Sequence, residues 1–98
     1  MEVEKGSLKF QWDKGNLEKN LLKHGLTIYQ IEEVFFNSPL YFFVDYEHSG
    51  IEKRYSALGH DKEFNLIFVS FVIREERIRV ISARAMDKKE RKRYGKNI

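Results

Sequence analysis

Several side chains in this sequence have the chemistry to bind a phosphate group or to transfer a proton. The candidates are Glu52, Arg54, Arg79, Arg84, Lys23 and His24. An arginine suits phosphate because its guanidinium group presents paired N–H donors to two oxygens. A glutamate, a histidine or a lysine can act as a general base or acid when its surroundings adjust its pKa. Together, these residue types could support chemistry at a phosphate ester.

The last quarter of the chain carries all of the net positive charge. Residues 74–98 hold 10 Lys or Arg and 4 Asp or Glu, a net charge of +6, whereas the whole chain has +3. This asymmetry indicates a polyanionic partner, although a solvated basic tail would look the same. The cations that we expect to contact phosphate here are Arg77, Lys88, Arg91 and Arg93, and an ordinary solvated helix face is the alternative.

Length and composition limit the class of protein. A chain of 98 residues predicts a single domain, and 8 Phe, 5 Tyr and 1 Trp favour a fold that contains a sheet. The absence of cysteine excludes disulfides and thiolate metal sites. No apolar run is long enough for a membrane span, and the N-terminus lacks a secretory signal, so we expect a cytoplasmic protein. His48 and His60 have no partner at metal-ligand spacing, so we expect no metal site and no cofactor.

Capping signals and turn residues divide the chain into helices and strands. Thr27 with Gln30, and Asp87 with Glu90, have the spacing of a helix capping box. Segments rich in aromatic and β-branched residues predict strands. In order, the predicted elements are a strand over 7–12, a helix from the N-cap Asp13 to Gly25, a helix from Thr27 that Pro39 ends, strands over 40–45, 52–58, 64–73 and 77–83, and a helix after Asp87, with residues 1–6 frayed.

This order of elements predicts an α+β domain. Two N-terminal helices and a C-terminal helix would pack on one face of a mainly antiparallel sheet of four to five strands. Residues 64–73 are apolar on both faces of the pleat, which predicts a central strand. Residues 77–83 follow a tight charged turn and would form its antiparallel partner.

Strand alternation tests whether the candidate residues can meet. Glu52 and Arg54 are two positions apart, so on one strand they would share a face. Arg79 and Arg84 are separated by an odd number of positions, so in a regular strand they point to opposite faces. They can line one cleft only if the strand ends or bulges near Ser82.

Three motifs, in order and in register, resemble one family of proteins. They are FQWDKGNLEKNLLKHGLT over 10–27, HSGIEKRYSALG over 48–59 and RIRVISARAMDKKERKRY over 77–94. Together they resemble the BrnT-type toxins of bacterial type II toxin–antitoxin systems. The resemblance implies a RelE-like fold, a ribonuclease activity that blocks translation, and a cognate DNA-binding antitoxin held with the toxin in a hetero-oligomer.

The implied activity gives the candidate residues a common substrate. RNA cleavage without metal uses the 2′-hydroxyl of the substrate as nucleophile, so the protein must remove its proton and stabilise charge on the phosphate. Our hypothesis places Glu52, Arg54 and Arg79 on the floor of an RNA cleft. Lys23, His24 and Arg84 would stand at its edge. We expect the antitoxin to cover this cleft with an acidic or strand-forming segment.

Simpler interpretations stay open for several of these residues. Glu52 and Arg54 could form only cross-strand ion pairs on a solvated face. His24 could interact only with the carbonyl groups at the end of its helix. Tyr41 and Phe43 are candidates for the antitoxin interface but could equally belong to the core. The alternative function is a nucleic-acid-binding or protein-interaction module without catalysis.

Overall fold

The computed structural model describes residues 2–5, 8–15, 18–19 and 24–96, which form six strands and two helices. The elements are β1 (Glu2–Lys5), β2 (Leu8–Gln11), α1 (Ile28–Val34), β3 (Tyr41–Val44), β4 (Arg54–His60), β5 (Leu66–Arg74), β6 (Arg77–Ala85) and α2 (Lys88–Lys96). The α+β class agrees with the prediction, and the order of the strands departs from it.

All six strands belong to one mixed sheet in the order β1-β2-β6-β5-β4-β3. Strands β3 to β6 form the predicted antiparallel meander, in which β5 lies between β4 and β6. Strand β2 pairs with β6 in parallel, because the chain crosses to the far edge of the sheet before the meander begins. The predicted sheet of four to five strands is therefore corrected to six strands with one parallel pair.

The N-terminal residues also differ from the prediction of a frayed end. Residues 2–5 form β1, which pairs antiparallel with β2 and brings Glu2 opposite Gln11 and Lys5 opposite Leu8. This pairing satisfies the backbone groups along an edge of β2 that would otherwise face solvent.

The predicted first helix lies only partly within the described residues. Asp13 accepts a hydrogen bond from the backbone N–H of Gly15 at 2.7 Å, as an N-cap side chain does. Gly25 has a φ of 68°, the left-handed conformation predicted for the end of this helix. The apolar residues assigned to its buried stripe, Leu17, Leu21 and Leu22, fall outside the described residues.

Helix α1 begins at the predicted capping box and packs tightly on the sheet. The Thr27 hydroxyl accepts from the Gln30 N–H at 3.2 Å, and the Gln30 side chain accepts from the Thr27 N–H at 3.0 Å. Val34 then lies so close to β4 that a Cβ atom added to Gly59 would stand 2.8 Å from its Cγ1. Glycine at this position therefore permits the close approach of helix and strand.

The two described helices cover opposite faces of the sheet. On the α1 face, Ile31 and Val34 pack with Ala57 and Val69 in the main core cluster. On the α2 face, a smaller cluster contains Leu58, Met86 and Tyr94, with Tyr41, Phe43, Leu66 and Phe68 packed against it. Adjacent residues of one strand point to opposite faces, so the prediction of helices on a single face is wrong for these two. Helix α2 covers only part of its face, and we call the part that no described helix covers the open part.

Candidate active site

Arginines from two strands stand on the open part of the α2 face. Arg54 of β4 is paired across the sheet with Val72 of β5, which is paired in turn with Arg79 of β6. The two arginines therefore occupy one row that runs across the strands, and their backbones lie two strand spacings apart, about 10 Å. They point to the same face.

A β-bulge brings Arg84 to that face as well. Ser82 is paired with Ser70, and Val80 is paired with Phe71, so Ile81 is an extra residue in β6. The extra residue reverses the alternation of side chains along the strand. Arg79 and Arg84 consequently share a face in spite of their odd separation, which is the condition that the sequence set for them to act together.

Arg54 and Arg84 line a shallow concavity in the sheet surface. Ser70 and Ser82 form its floor. The concavity lies beside the row formed by Arg54, Val72 and Arg79. Its lining residues are Asp45, His48, Arg54, Phe68, Ser70, Ser82 and Arg84. A concave surface that carries convergent cations and hydroxyl groups is suited to an anionic ligand.

Arg84 is held firmly in place within this concavity. Its Nη1 and Nη2 atoms donate to the two carboxylate oxygens of Glu90 at 2.7 and 2.9 Å. Its guanidinium carbon lies 4.3 Å from the ring centroid of Phe68. The Glu90 carboxylate raises the pKa of Arg84 above its ordinary value, so this side chain stays charged.

Glu52 lies just outside the strand in which the sequence placed it, within reach of the charges of Arg79 and Arg54. Strand β4 begins at Arg54, so the alternation that was expected to set Glu52 beside Arg54 does not extend to it. Instead, Glu52 accepts two hydrogen bonds from Arg74, at 2.6 and 2.7 Å. These bonds lower the pKa of Glu52, and an ionised carboxylate engaged by a guanidinium is a weak proton acceptor.

Arg79 makes a longer ion pair than Arg84 does. Its Nη2 atom lies 3.4 Å from an Asp13 carboxylate oxygen, and its side chain is partly buried. An ion pair of this length at the surface contributes little to stability. A phosphate group could therefore replace Asp13 as the partner of Arg79 at small cost.

Asp45 and His48 form a pair at the rim of the concavity that the sequence interpretation missed. The His48 ring Nδ1 lies 2.9 Å from the Asp45 carboxylate, which also accepts from the His48 backbone N–H at 3.2 Å. Burial tends to raise the pKa of Asp45, but these hydrogen bonds and the nearby Arg54 charge leave it lowered. The signal available in the sequence was an aspartate three residues before a histidine in a turn.

Of the other two proton-transfer candidates, His24 lies among the described residues and Lys23 does not. His24 is half-buried, and within the described residues it has no hydrogen bond to the concavity. Leu26, two positions later, is buried in the cluster on the opposite face.

The four cations expected to contact phosphate are in different environments. Lys88 is exposed at the start of α2, and Arg77 lies 3.5 Å from Glu75 at the β5–β6 turn. Arg91 donates to the Met86 carbonyl at 2.8 Å. Arg93 stacks 3.9 Å from the ring centroid of Phe43 and donates to the Tyr41 hydroxyl at 3.0 Å. A basic surface that the sequence did not single out is lined by Lys89, Lys92, Arg93 and Lys96.

Two features are absent from the part of the chain that the structure describes. No group of three or more His, Cys, Asp or Glu side chains there could hold a metal ion. Neither helix formed by those residues is long and apolar enough to cross a membrane.

Comparison with known proteins adds one strong match. The sequence model of a family described as "Ribonuclease toxin, BrnT, of type II toxin-antitoxin system" matches residues 12–90. A search of curated proteins finds no match to the chain. The matched range includes every residue that lines the concavity.

Proposed function

This chain belongs to the BrnT family of ribonuclease toxins of type II toxin–antitoxin systems, and we propose that it cleaves RNA on the open α2 face of its sheet. The observation that carries the proposal is the convergence of Arg54, Arg79 and Arg84 on this face, which depends on the bulge at Ile81. Guanidinium groups in this arrangement can bind the scissile phosphate from more than one side.

The proposed reaction proceeds without a metal ion. The 2′-hydroxyl of the RNA attacks the adjacent phosphorus, and negative charge accumulates on the phosphate oxygens in the transition state. Arg54, Arg79 and Arg84 supply the positive charge that stabilises this state. Because arginine remains protonated at any physiological pH, their contribution requires no prior proton transfer.

The three arginines have distinct roles in this proposal. Arg84 is fixed by Glu90 and Phe68, so it offers a preorganised charge beside the Ser70–Ser82 floor. Arg79 exchanges its long contact with Asp13 for a phosphate oxygen. Arg54 stands one strand spacing beyond Val72, on the side of the turn that carries His48. Preorganised charge of this kind lowers the barrier without reorganisation during the reaction.

We also propose a partner that keeps the enzyme inactive. A cognate DNA-binding antitoxin would cover the basic face with an acidic segment, or extend the sheet at the outer strand β3, in a toxin–antitoxin hetero-oligomer. On β3 the strongly exposed aromatic side chain is Phe42, whereas Tyr41 and Phe43 pack under α2. The core alternative left open for Tyr41 and Phe43 fits this packing, so we propose Phe42 as the aromatic residue of that interface. Release of the toxin in the cytoplasm would then inhibit translation through RNA cleavage.

Substitution of Arg79 with alanine tests the proposal. Induced expression of the wild-type chain should arrest growth and produce new RNA 5′ ends, and R79A should lose both effects while it still binds the antitoxin. Lys62→Ala removes one positive charge from an exposed loop position and serves as the matched control. Toxicity of R79A equal to that of the wild type would favour a non-catalytic binding module instead.

A further inference from the structure

The turn between β3 and β4 holds a histidine at the rim of the concavity. His48 and Asp45 both line this concavity together with Arg54 and Arg84. We infer that His48, oriented by Asp45, is the general base that takes the proton from the attacking 2′-hydroxyl of the RNA. This inference rests on the proposed function, because it assigns a residue to one step of that reaction.

The turn is tied to the strand that supplies one of the phosphate-binding arginines. The Ser49 hydroxyl donates to the Asp45 carbonyl at 2.6 Å, and it accepts from the Arg54 N–H at 2.9 Å. The Asp45 N–H donates to the Arg54 carbonyl at 2.8 Å. Asp45 is thus fixed directly to the first residue of β4, so the Asp45–His48 pair and the Arg54 side chain have a fixed spatial relationship.

The hydrogen bond to Asp45 determines which ring nitrogen of His48 is available. An ionised carboxylate can only accept, and the pKa of Asp45 is lowered, so the neutral ring must carry its proton on Nδ1. The other nitrogen, Nε2, then has a lone pair. A histidine in this tautomer is a proton acceptor, and the carboxylate stabilises the positive charge that the ring gains.

The other proton-transfer candidates are less suitable. Glu52 is ionised and engaged by the Nε and Nη2 atoms of Arg74. His24 precedes Leu26, which is buried on the opposite face of the sheet. The side chain of His48 is 60% exposed, so a substrate can reach it. His48 combines exposure, orientation by a carboxylate and a position on the same concavity as two arginines.

The proton and bond changes of the step balance. His48 Nε2 takes the 2′-hydroxyl proton as the O2′–P bond forms and the P–O5′ bond breaks. The departing 5′-oxygen takes a proton from water, and the imidazolium later returns its proton to water. The products are a 2′,3′-cyclic phosphate and a 5′-hydroxyl end. The charged groups that line the concavity with His48 are Asp45, Arg54 and Arg84, and the two arginines face the phosphate that becomes more negative.

Kinetics of His48→Asn measure the effect of removing Nε2 while an N–H donor to Asp45 remains. We expect kcat for RNA cleavage to fall by about 10²- to 10⁴-fold with little change in KM, because a general base acts in the transition state. The wild-type rate should rise with pH as the neutral ring becomes available, and this rise should be absent in H48N. Free imidazole should restore part of the activity of His48→Ala.

Two further variants separate orientation from folding. Asp45→Asn removes the carboxylate that sets the tautomer, so kcat should fall and free imidazole should not restore it. Glu47→Gln changes an exposed residue of the same turn and should leave the rate unchanged. Melting temperature and RNA affinity of each variant show whether the fold and the arginine surface are intact.

Each outcome decides one of the two claims. A wild-type chain that produces no 5′-hydroxyl RNA ends, alone or with ribosomes, would contradict the proposed function itself. A wild-type enzyme that is active, with H48N retaining its rate and its pH profile, would overturn only the role of His48. Loss of the pH-dependent rise in His24→Asn and not in H48N would also overturn it, and would move the general base to the first helical segment.

Discussion

Arg84 and Glu90 join β6 to α2 through two parallel N–H···O hydrogen bonds of 2.7 and 2.9 Å. Glu90 performs a second task at the same time, because its Oε1 atom accepts from the Asp87 N–H at 2.9 Å in the capping box of α2. One carboxylate therefore begins the C-terminal helix and orients an arginine of the proposed phosphate site. Folding of α2 and preparation of the site are coupled through this residue.

Glu90→Gln should separate these two tasks. Glutamine can still complete the capping box, but it offers a single acceptor to the guanidinium of Arg84. We expect a loss of no more than about 1 kcal/mol in the free energy of unfolding. The kcat for RNA cleavage should fall several-fold because Arg84 loses its fixed orientation, and RNA affinity should not fall, since one negative charge is removed. Urea unfolding and steady-state kinetics measure the two effects.

Glu90→Ala is the matched comparison for that variant. It loses the cap as well as the ion pair, so it should be less stable than E90Q by about 1 kcal/mol. An unchanged kcat in E90Q would show that Arg84 does not need Glu90 for its position.

The cations of α2 should divide into one that stabilises the fold and others that bind RNA. Arg93 stacks on Phe43 and bonds to the Tyr41 hydroxyl, whereas the Lys92 side chain is exposed. Arg93→Ala should lower stability by about 1 kcal/mol through the lost cation–π contact and packing. Lys92→Ala should leave stability unchanged and reduce the salt dependence of RNA binding by about one ion. Thermal melting and RNA titrations at several salt concentrations test this, and equal stability of the two variants would contradict it.

Local sequence signals predicted local structure well in this chain. The capping boxes at Thr27 and Asp87 form as expected, because each depends only on residues three positions apart. The strands of the meander also form, since alternating or continuous apolar patterns are local signals. The parallel pairing of β2 with β6 was not predictable in this way, because it joins segments far apart in the chain.

The candidate site shows the same limit at the level of single residues. The odd number of positions between Arg79 and Arg84 showed that they can share a face only if the strand bulges or ends between them. The bulge itself, at Ile81, is visible only in the register of β5 against β6. The pair of Asp45 and His48 was overlooked because His48 was considered only as a metal ligand and Asp45 only as the end of a predicted strand. Arg74 was considered only as a turn residue, although its bond to Glu52 decides what that carboxylate can do.

The tight turn between β5 and β6 should be a place where stability can be gained. Glu75 and Glu76 have φ values of 49° and 64°, a left-handed conformation in which a side chain with a Cβ atom is strained. Asn-Gly is favoured in a two-residue hairpin turn with positive φ at both positions. The double variant E75N/E76G should gain about 1–2 kcal/mol, which corresponds to a melting temperature higher by roughly 4–8 °C per kcal/mol.

A double glutamine variant is the control for the loss of two charges. E75Q/E76Q removes the same negative charges from the turn but keeps both strained side chains, so it should gain little. A similar rise in melting temperature for both variants would attribute the effect to charge rather than to backbone conformation.

The turn between β4 and β5 should depend on a buried, ionised aspartate. Asp61 is 1% exposed, and its Oδ1 atom accepts from the backbone N–H groups of Glu63 and Asn65, both at 2.9 Å. Its Oδ2 atom accepts from the side chains of Asn65 and Gln30, at 2.8 and 3.2 Å. Burial tends to raise the pKa of Asp61, and these four hydrogen bonds together lower it below its ordinary value.

Asp61→Ala should therefore destabilise the protein by about 2–4 kcal/mol at neutral pH, because it leaves buried donors without an acceptor. A carboxyl group with a lowered folded-state pKa stabilises the fold above its unfolded-state pKa, and this contribution is lost as the pH falls through the folded-state value. The difference in unfolding free energy between wild type and D61A should then shrink as the pH falls below the ordinary pKa of an aspartate and through the lowered folded-state pKa of Asp61. Glu63→Ala, at an exposed position of the same turn, should show no such pH-dependent difference. Urea unfolding at each pH measures the difference in unfolding free energy between the wild type and each variant. If the difference for D61A does not change with pH, the charge on Asp61 contributes nothing to stability beyond the packing of its side chain.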